Sequence, residues 1–140
     1  MSRPRPDGLG ARIGMTAALR SAGLQAGDID YINLHGTGTP TNDASEGKAI
    51  LELFGNQTPC SSTKGATGHT LGAAGGLEAI ISALALQHGF LPGGINTPHP
   101  DPTLPIHYLT SNSAQAPQRV MSNSLGFGGT NCSLVLGRAG

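Results

Sequence analysis

Glycine restricts this chain more than any other residue type. Twenty-two of its 140 residues are glycine, gathered in HGTGTP (35–40), KGATGH (64–69), LGAAGG (71–76) and LGFGGTN (125–131). An even spread would suggest disorder. Clusters between apolar, patterned segments instead mark tight turns and places where the backbone must approach something closely. Four of them in one small domain predict a site made of loops. A chain of this length is also long enough for one domain with a real core.

The segments between the clusters alternate in type. Residues 11–23 predict a helix with an apolar stripe of Ile13, Ala17, Ala18 and Leu19, stopped by Gly23. Residues 28–34 predict a strand covered on both faces, running directly into His35. A helix over about 42–54 follows, capped by Asn42 or Asp43 and burying Ala49, Ile50, Leu53 and Phe54, with Gly55 ending it. PCSSTK (59–64) predicts a short strand. Residues 71–88 carry Leu77, Ile80, Ile81, Leu84 and Leu86 and are apolar nearly all round, which predicts a buried helix. Prolines at 92, 98, 100, 102 and 105 make 91–105 an extended connection. Short strands are expected near 106–110, 119–124 and 131–137, the last two as a hairpin around LGFGG. Strands alternating with helices argue for an α/β layered domain.

Charge narrows the function classes. Eight Lys and Arg balance eight Asp and Glu, so there is no electrostatic case for nucleic acid or an anionic membrane. MSRPRPDGLG is too polar for a signal peptide, and no apolar run approaches the roughly 20 residues of a membrane span. A cytoplasmic protein is the expectation. Cys60 and Cys132 match no metal-ligand spacing and read as small buried hydrophobes, rather than as a disulfide or a nucleophile. No two of the five histidines have a spacing such as HxxxH, so no metal is expected.

Chemistry concentrates in the loops. His35 opens HGTGTP straight off a strand end, and His69 closes KGATGH just before the third helix. Strand-to-helix junctions are where α/β folds commonly bind ligands. The partial positive charge of a helix N-terminus and burial both disfavour an imidazolium there. A neutral imidazole donating an N–H suits polarising a carbonyl. Either histidine alone reads more readily as a local hydrogen-bonding residue of a Gly/Thr loop; two in similar loops shift the balance without deciding it. His88 reads as a helix C-terminal residue, and His99 and His107 as surface loop residues. Glu78, on an otherwise apolar helix, is either buried and paired, with Lys64 the economical partner, or at a solvent edge.

Three segments, YINLHGTGTPTND, SSTKGATGHTLGAAGGLEAI and MSNSLGFGGTNCSLVLG, resemble signature segments of the β-ketoacyl-[acyl carrier protein] synthases, in order and with similar spacing. The likeness runs from about residue 8 to about 138, and QHGFLPGGIN is similar to the connection after that family's buried helix. It implies a thiolase-like fold of two similar α/β halves, normally dimeric, of which residues 1–140 would be the C-terminal half. The implied reaction is a decarboxylating Claisen condensation extending an acyl chain, in fatty acid, polyene or polyketide synthesis. The substrates ride on the phosphopantetheine of acyl carrier protein, and no further cofactor is implied.

On that template His35 and His69 match the histidine pair that donates hydrogen bonds to the malonyl thioester oxygen. Lys64 matches the lysine that organises the second histidine, with Glu78 its buried ionic partner. Phe127 matches the gating phenylalanine, whose N–H contributes to the oxyanion hole, with Gly128 beside it. Thr37 and Thr39 match positions contacting the phosphopantetheine arm. The nucleophilic cysteine belongs to the family's N-terminal half, at a strand–turn–helix elbow that neither Cys60 nor Cys132 matches. The chain alone is therefore expected to be inactive and to expose an apolar face towards the missing half. Leu125, where the family often has Phe, is expected to affect packing only. Two alternatives stay open: a non-catalytic chain-length-type subunit or carrier-protein docking module, and a bare malonyl decarboxylase.

Overall fold

A computed structural model describes residues 7–36, 40–63, 74–94, 106–125 and 131–138. Helix α1 (Leu9–Ala22) ends where Gly23 turns left-handed, its N–H donating to the Arg20 carbonyl and that of Leu24 to Leu19; this double bond pattern satisfies the last carbonyls of the helix. The helix buries Ala11, Met15 and Leu19, each four residues from the next. Ile13, expected in the stripe, is instead 59% exposed, and Ala17 is exposed as well. Small Ala11 and unbranched Met15, not the bulkier Ile13, mark the face that packs.

A short 3-10 turn (Ala26–Asp28) leads into β1 (Tyr31–Asn33). Helix α2 (Pro40–Phe54) starts earlier than its expected caps, so Asp43 lies in its first turn. Proline suits such a start, because its missing N–H has no intrahelical partner there. Strand β2 is only Cys60–Ser61. Helix α3 (Ala74–His88) matches the described part of the expected third helix. Strands β3 (Arg119–Leu125) and β4 (Asn131–Gly137) pair antiparallel as the expected hairpin. Residues 106–110 form no strand. There, Tyr108 makes a single bridge to Cys60, with Cys60 N–H donating to the His107 carbonyl and Leu109 N–H to that of Cys60.

The sheet order is β2-β1-β3-β4, with β1 parallel to both β2 and β3. Alternation then sorts the side chains onto two faces. Ile32, Leu34, Cys60 and Met121 join Met15, Leu19, Ala49, Ile50 and Phe54 in one core under α1 and α2. Tyr31 and Val120 point the other way and meet Leu86 of α3 and Leu91. Beside them on that second face lie Asn33, Ser61 and Ser122, which the register sets opposite one another, all nearly or fully buried.

Helix α3 has a mixed inner face, on which Ala85 and Leu86 are also buried. It turns Glu78 and Ser82, four residues apart, inward at 3% and 0% exposure, while Ile80 and Leu84 stand outward at 59% and 42%. The expectation of a helix buried all round is therefore corrected: one side of α3 is open to solvent. Among the described residues, no helix is long and apolar enough to cross a membrane.

Candidate active site

His35 lies just beyond the carboxyl end of β1 and is 6% exposed. Its position is fixed through its backbone by a carboxylate. The N–H of His35 donates to Glu46 Oε2 (2.9 Å) and the N–H of Gly36 to Glu46 Oε1 (3.0 Å). Glu46 is only 2% exposed, because it sits one turn before Ala49 and Ile50 on the buried face of α2. Hydrogen bonds to an ionised acceptor are stronger than neutral ones, so two of them hold the strand end firmly. Asn123 of β3 extends the arrangement. Its Nδ2 approaches Glu46 Oε2 (3.4 Å) and Met15 Sδ (3.3 Å), and its Oδ1 accepts from Ser133 Oγ (2.8 Å). The helix α1, the helix α2 and both hairpin strands thus converge behind His35.

On the β2 side, hydroxyls do the joining. Ser62 Oγ donates to the Gly36 carbonyl (3.1 Å). Ser61 Oγ bonds the Tyr31 hydroxyl and donates to the Pro92 carbonyl, all within the interior. Burial pushes the Tyr31 phenol well above its ordinary range, so it stays a neutral hydroxyl. Glu78 on α3 receives Ser124 Oγ (3.4 Å), and Ser82 Oγ returns to the Glu78 carbonyl (2.9 Å). The carboxyl ends of β1 and β3 are therefore lined by buried carboxylates, amides and hydroxyls. A cleft of about 580 Å³ lies elsewhere, bordered by Ala26, Asp30, Phe54, Gln57, His107 and Gln115, and none of the expected site residues lines it.

Residues 1–98 match the family model described as "Beta-ketoacyl synthase, C-terminal domain". The chain belongs to the β-ketoacyl synthase family. It is 47% identical, over 142 aligned residues, to the mitochondrial 3-oxoacyl-[acyl-carrier-protein] synthase of Arabidopsis thaliana, covering 96% of this chain and 31% of that relative. Among solved structures, it superposes with a TM-score of 0.93 and 50% identity on the ketosynthase ApeO in complex with its chain length factor ApeC from Xenorhabdus doucetiae, covering 99% of this chain and 36% of that one. A type II polyketide acyl-carrier protein in complex with its ketosynthase bound to the hexaketide, AntDE:AntF, matches at a TM-score of 0.94 and 27% identity, over 100% and 35%. The chain thus spans about a third of the length of the relatives it matches, and its fold is that of the carboxyl-terminal part of a thiolase-like ketosynthase.

Of the residues expected in a β-ketoacyl synthase site, His35 and Glu78 are described, and both are buried. The open choice for Glu78 closes on the interior. His69, Lys64, Phe127, Thr37, Thr39 and Gly128 lie outside the described residues, so the Lys64–Glu78 pair does too. Cys60 is a buried free thiol, pushed up to about 12 by burial and then by the charge of Glu46. A thiol held protonated is a poor nucleophile. Cys132, also free, is exposed rather than buried; it lies opposite Ser124 on the edge strand β4. His88 ends α3 and His107 is exposed, as expected; His107 Nδ1 lies 3.2 Å from the Gln57 carbonyl. Glu46, Asn123 and Ser62 were missed by sequence reasoning. For Glu46 a signal existed: it stands three and four residues before Ala49 and Ile50, on the face already expected to be buried.

Proposed function

We propose that this ketosynthase domain supplies the enolate-stabilising half of a decarboxylating Claisen condensation. The observation that carries the reading is His35: a buried imidazole at the carboxyl end of a central strand, with its backbone held by Glu46. His35 and His69 donate N–H groups to the malonyl thioester oxygen. The C–C bond to the carboxylate breaks, CO2 leaves, and the electron pair passes into an enolate stabilised by those donors. The enolate carbon attacks an acyl thioester on a cysteine of the N-terminal half, expelling the thiolate. Lys64 and Glu78 orient His69. Phe127 and Gly128 border the acyl carbonyl, and Thr37 and Thr39 contact the phosphopantetheine arm. No cofactor besides that arm is needed.

The partners follow from the same reading: acyl carrier protein, an N-terminal ketosynthase half, and a second copy of the assembled enzyme, in the cytoplasm. The outward Ile80 and Leu84 of α3 support the second of these, because such a pair on a helix that buries Glu78 is better explained by a covering surface than by solvent. The relatives named for 3-oxoacyl-[acyl-carrier-protein] synthesis support the reaction class.

The test is to combine the chain, in one polypeptide or two, with an N-terminal ketosynthase half bearing the elbow cysteine, and to measure CO2 release and β-ketoacyl product from malonyl-carrier protein. Activity should be present, and His35→Ala should lower it by about 100-fold or more, the scale of losing one oxyanion donor. Full activity in His35→Ala sinks the reading. An assembly that is silent in every pairing with cysteine-bearing halves, yet alters product length when added to an active ketosynthase, favours the chain-length-type subunit. The likeness to a ketosynthase–chain length factor complex keeps that outcome in view.

A further inference from the structure

We propose that Ser62 is a positioning residue for His35, acting through the peptide of Gly36; the proposal rests on the role assigned to His35 above. Gly36 has a φ of +42°, a left-handed conformation that L side chains adopt reluctantly. Its peptide groups are held from two directions. Glu46 Oε1 accepts its N–H at 3.0 Å, and Ser62 Oγ donates to its carbonyl at 3.1 Å. The fit is close enough that a Cβ on Gly36 would lie 2.5 Å from Ser62 Cβ. Glu46 holds the N–H side of Gly36, and the bond from Ser62 holds its carbonyl side.

Ser62 is itself held in place. It is 8% exposed, and its N–H donates to the Tyr108 hydroxyl at 3.4 Å. The Tyr108 ring reaches that point only because residue 94 is glycine: a Cβ there would overlap the Tyr108 hydroxyl. The Gly94 N–H in turn donates to the Leu109 carbonyl (2.8 Å), tying the segment after α3 to the segment bearing Tyr108. The chain of contacts from Gly94 through Tyr108 and Ser62 to Gly36 ends beside His35. Ser62 also opens the eight-residue run that ends at His69 in sequence. The hydroxyl therefore links the exit of β2, the stretch leading to one histidine, to the peptide that carries the other.

A donor misplaced by about 1 Å can cost up to about 100-fold in rate. Ser62→Ala keeps the His35 side chain and removes the hydroxyl that donates to the Gly36 carbonyl. In the reconstituted assembly described above, with malonyl-carrier protein as substrate, it should lower kcat for CO2 release by roughly tenfold, with KM and the urea midpoint little changed. The ring C–H resonances of His35, assigned by their loss in His35→Ala, should shift or broaden in Ser62→Ala. A merely structural role would move KM and the midpoint together with kcat. If Ser62→Ala does not fold, Ser62→Cys, similar in size and a weaker donor, is read the same way. A kcat within twofold of the parent, or an unmoved His35 ring signal, overturns the proposal provided that His35→Ala is inactive. If His35→Ala is itself fully active, the functional reading falls, and the positioning role falls with it.

Discussion

The two faces of the sheet are built on different principles. Towards α1 and α2 the strands offer Ile32, Leu34, Cys60 and Met121, a dry layer that closes on Met15, Leu19, Ile50 and Phe54. Towards α3 they offer Tyr31, Asn33, Ser61, Val120 and Ser122, and the helix answers with Glu78 and Ser82 as well as Leu86. Apolar burial is favourable wherever it occurs, whereas buried polar groups cost free energy unless each finds a partner. The first face therefore holds the domain together, and the second spends some of that stability to keep a polar layer next to His35. Polar Asn123 on the apolar side obeys the same division, because it sits at the carboxyl end and reaches Glu46.

The contrast is broken most directly by matched truncations. Ile32→Ala on the apolar face should cost about 2–5 kcal/mol, from lost transfer energy and the cavity left behind. Ser82→Ala on the polar face should change stability by about 1 kcal/mol or less, because its hydroxyl only returns to the Glu78 carbonyl one turn back. Urea unfolding midpoints decide it. Equal losses at the two positions would mean that the α3 layer contributes to the core as α1 and α2 do.

Next in size is Gly36→Ala. The left-handed conformation costs an L-residue about 1–2 kcal/mol, and the new methyl must also displace Ser62, whose Cβ would stand 2.5 Å away. Activity of the reconstituted assembly should fall further than the stability loss predicts, since Gly36 adjoins His35 in the chain. A variant as active as the parent would show that the β1 exit tolerates movement and that the polar layer is not tuned to it.

Alkaline unfolding separates the faces by their titrating groups. Cys60 faces the apolar core, and its thiol is raised from 9.0 to about 12, chiefly by burial. Tyr31 faces the polar layer, and its phenol is raised above 10.0, again chiefly by burial. In each case the folded state keeps a proton that the unfolded chain releases, so the stability is fully present below the unfolded pKa and is lost as pH rises towards the folded one. Stability should fall from about pH 9 upwards, by at most about 1.4 kcal/mol per pH unit for each group. Cys60→Ala should remove the part that begins near pH 9, and Tyr31→Phe the part that begins near pH 10. Native alkylation at pH 8 should modify Cys132 and spare Cys60.

The apolar face was legible in the sequence, and the polar one was not. Ala49, Ile50 and Phe54 announce the inner side of α2 by their spacing, and β1 reads as covered on both faces. His35 and Glu78 were found because a histidine after a strand and a carboxylate in an apolar helix stand out against their neighbours. Glu46 carries a weaker signal: its spacing of three and four residues from Ala49 and Ile50 puts it on the inner face of α2, but a carboxylate among ordinary helix residues does not itself announce a backbone partner. Ser62 and Asn123 are harder still, since their partners, Gly36 and Glu46, lie 26 and 77 residues away in the chain. In α1 the error had another source. A bulky Ile13 was given more weight than Ala11 and Met15, yet a helix lying closely on β4 needs small or flexible residues at the contact. Its Gly10 would meet the Asn131 amide with any Cβ at 2.5 Å.

The smallest effect on stability, and the sharpest on behaviour, is expected at the outer side of α3. Ile80 and Leu84 are four residues apart and already exposed, at 59% and 42%, so replacing both with serine removes little buried area. The unfolding midpoint of the chain should stay within about 0.5 kcal/mol of the parent for each site. Self-association is a different matter, because two aliphatic side chains one turn apart form a continuous apolar strip. Light scattering should find the parent chain associating at high concentration and the double variant less so, while binding to an N-terminal ketosynthase half weakens. If the double variant instead unfolds, the strip is part of the core that α3 shares with the sheet. The reading of Ile80 and Leu84 as a surface for an N-terminal ketosynthase half then fails.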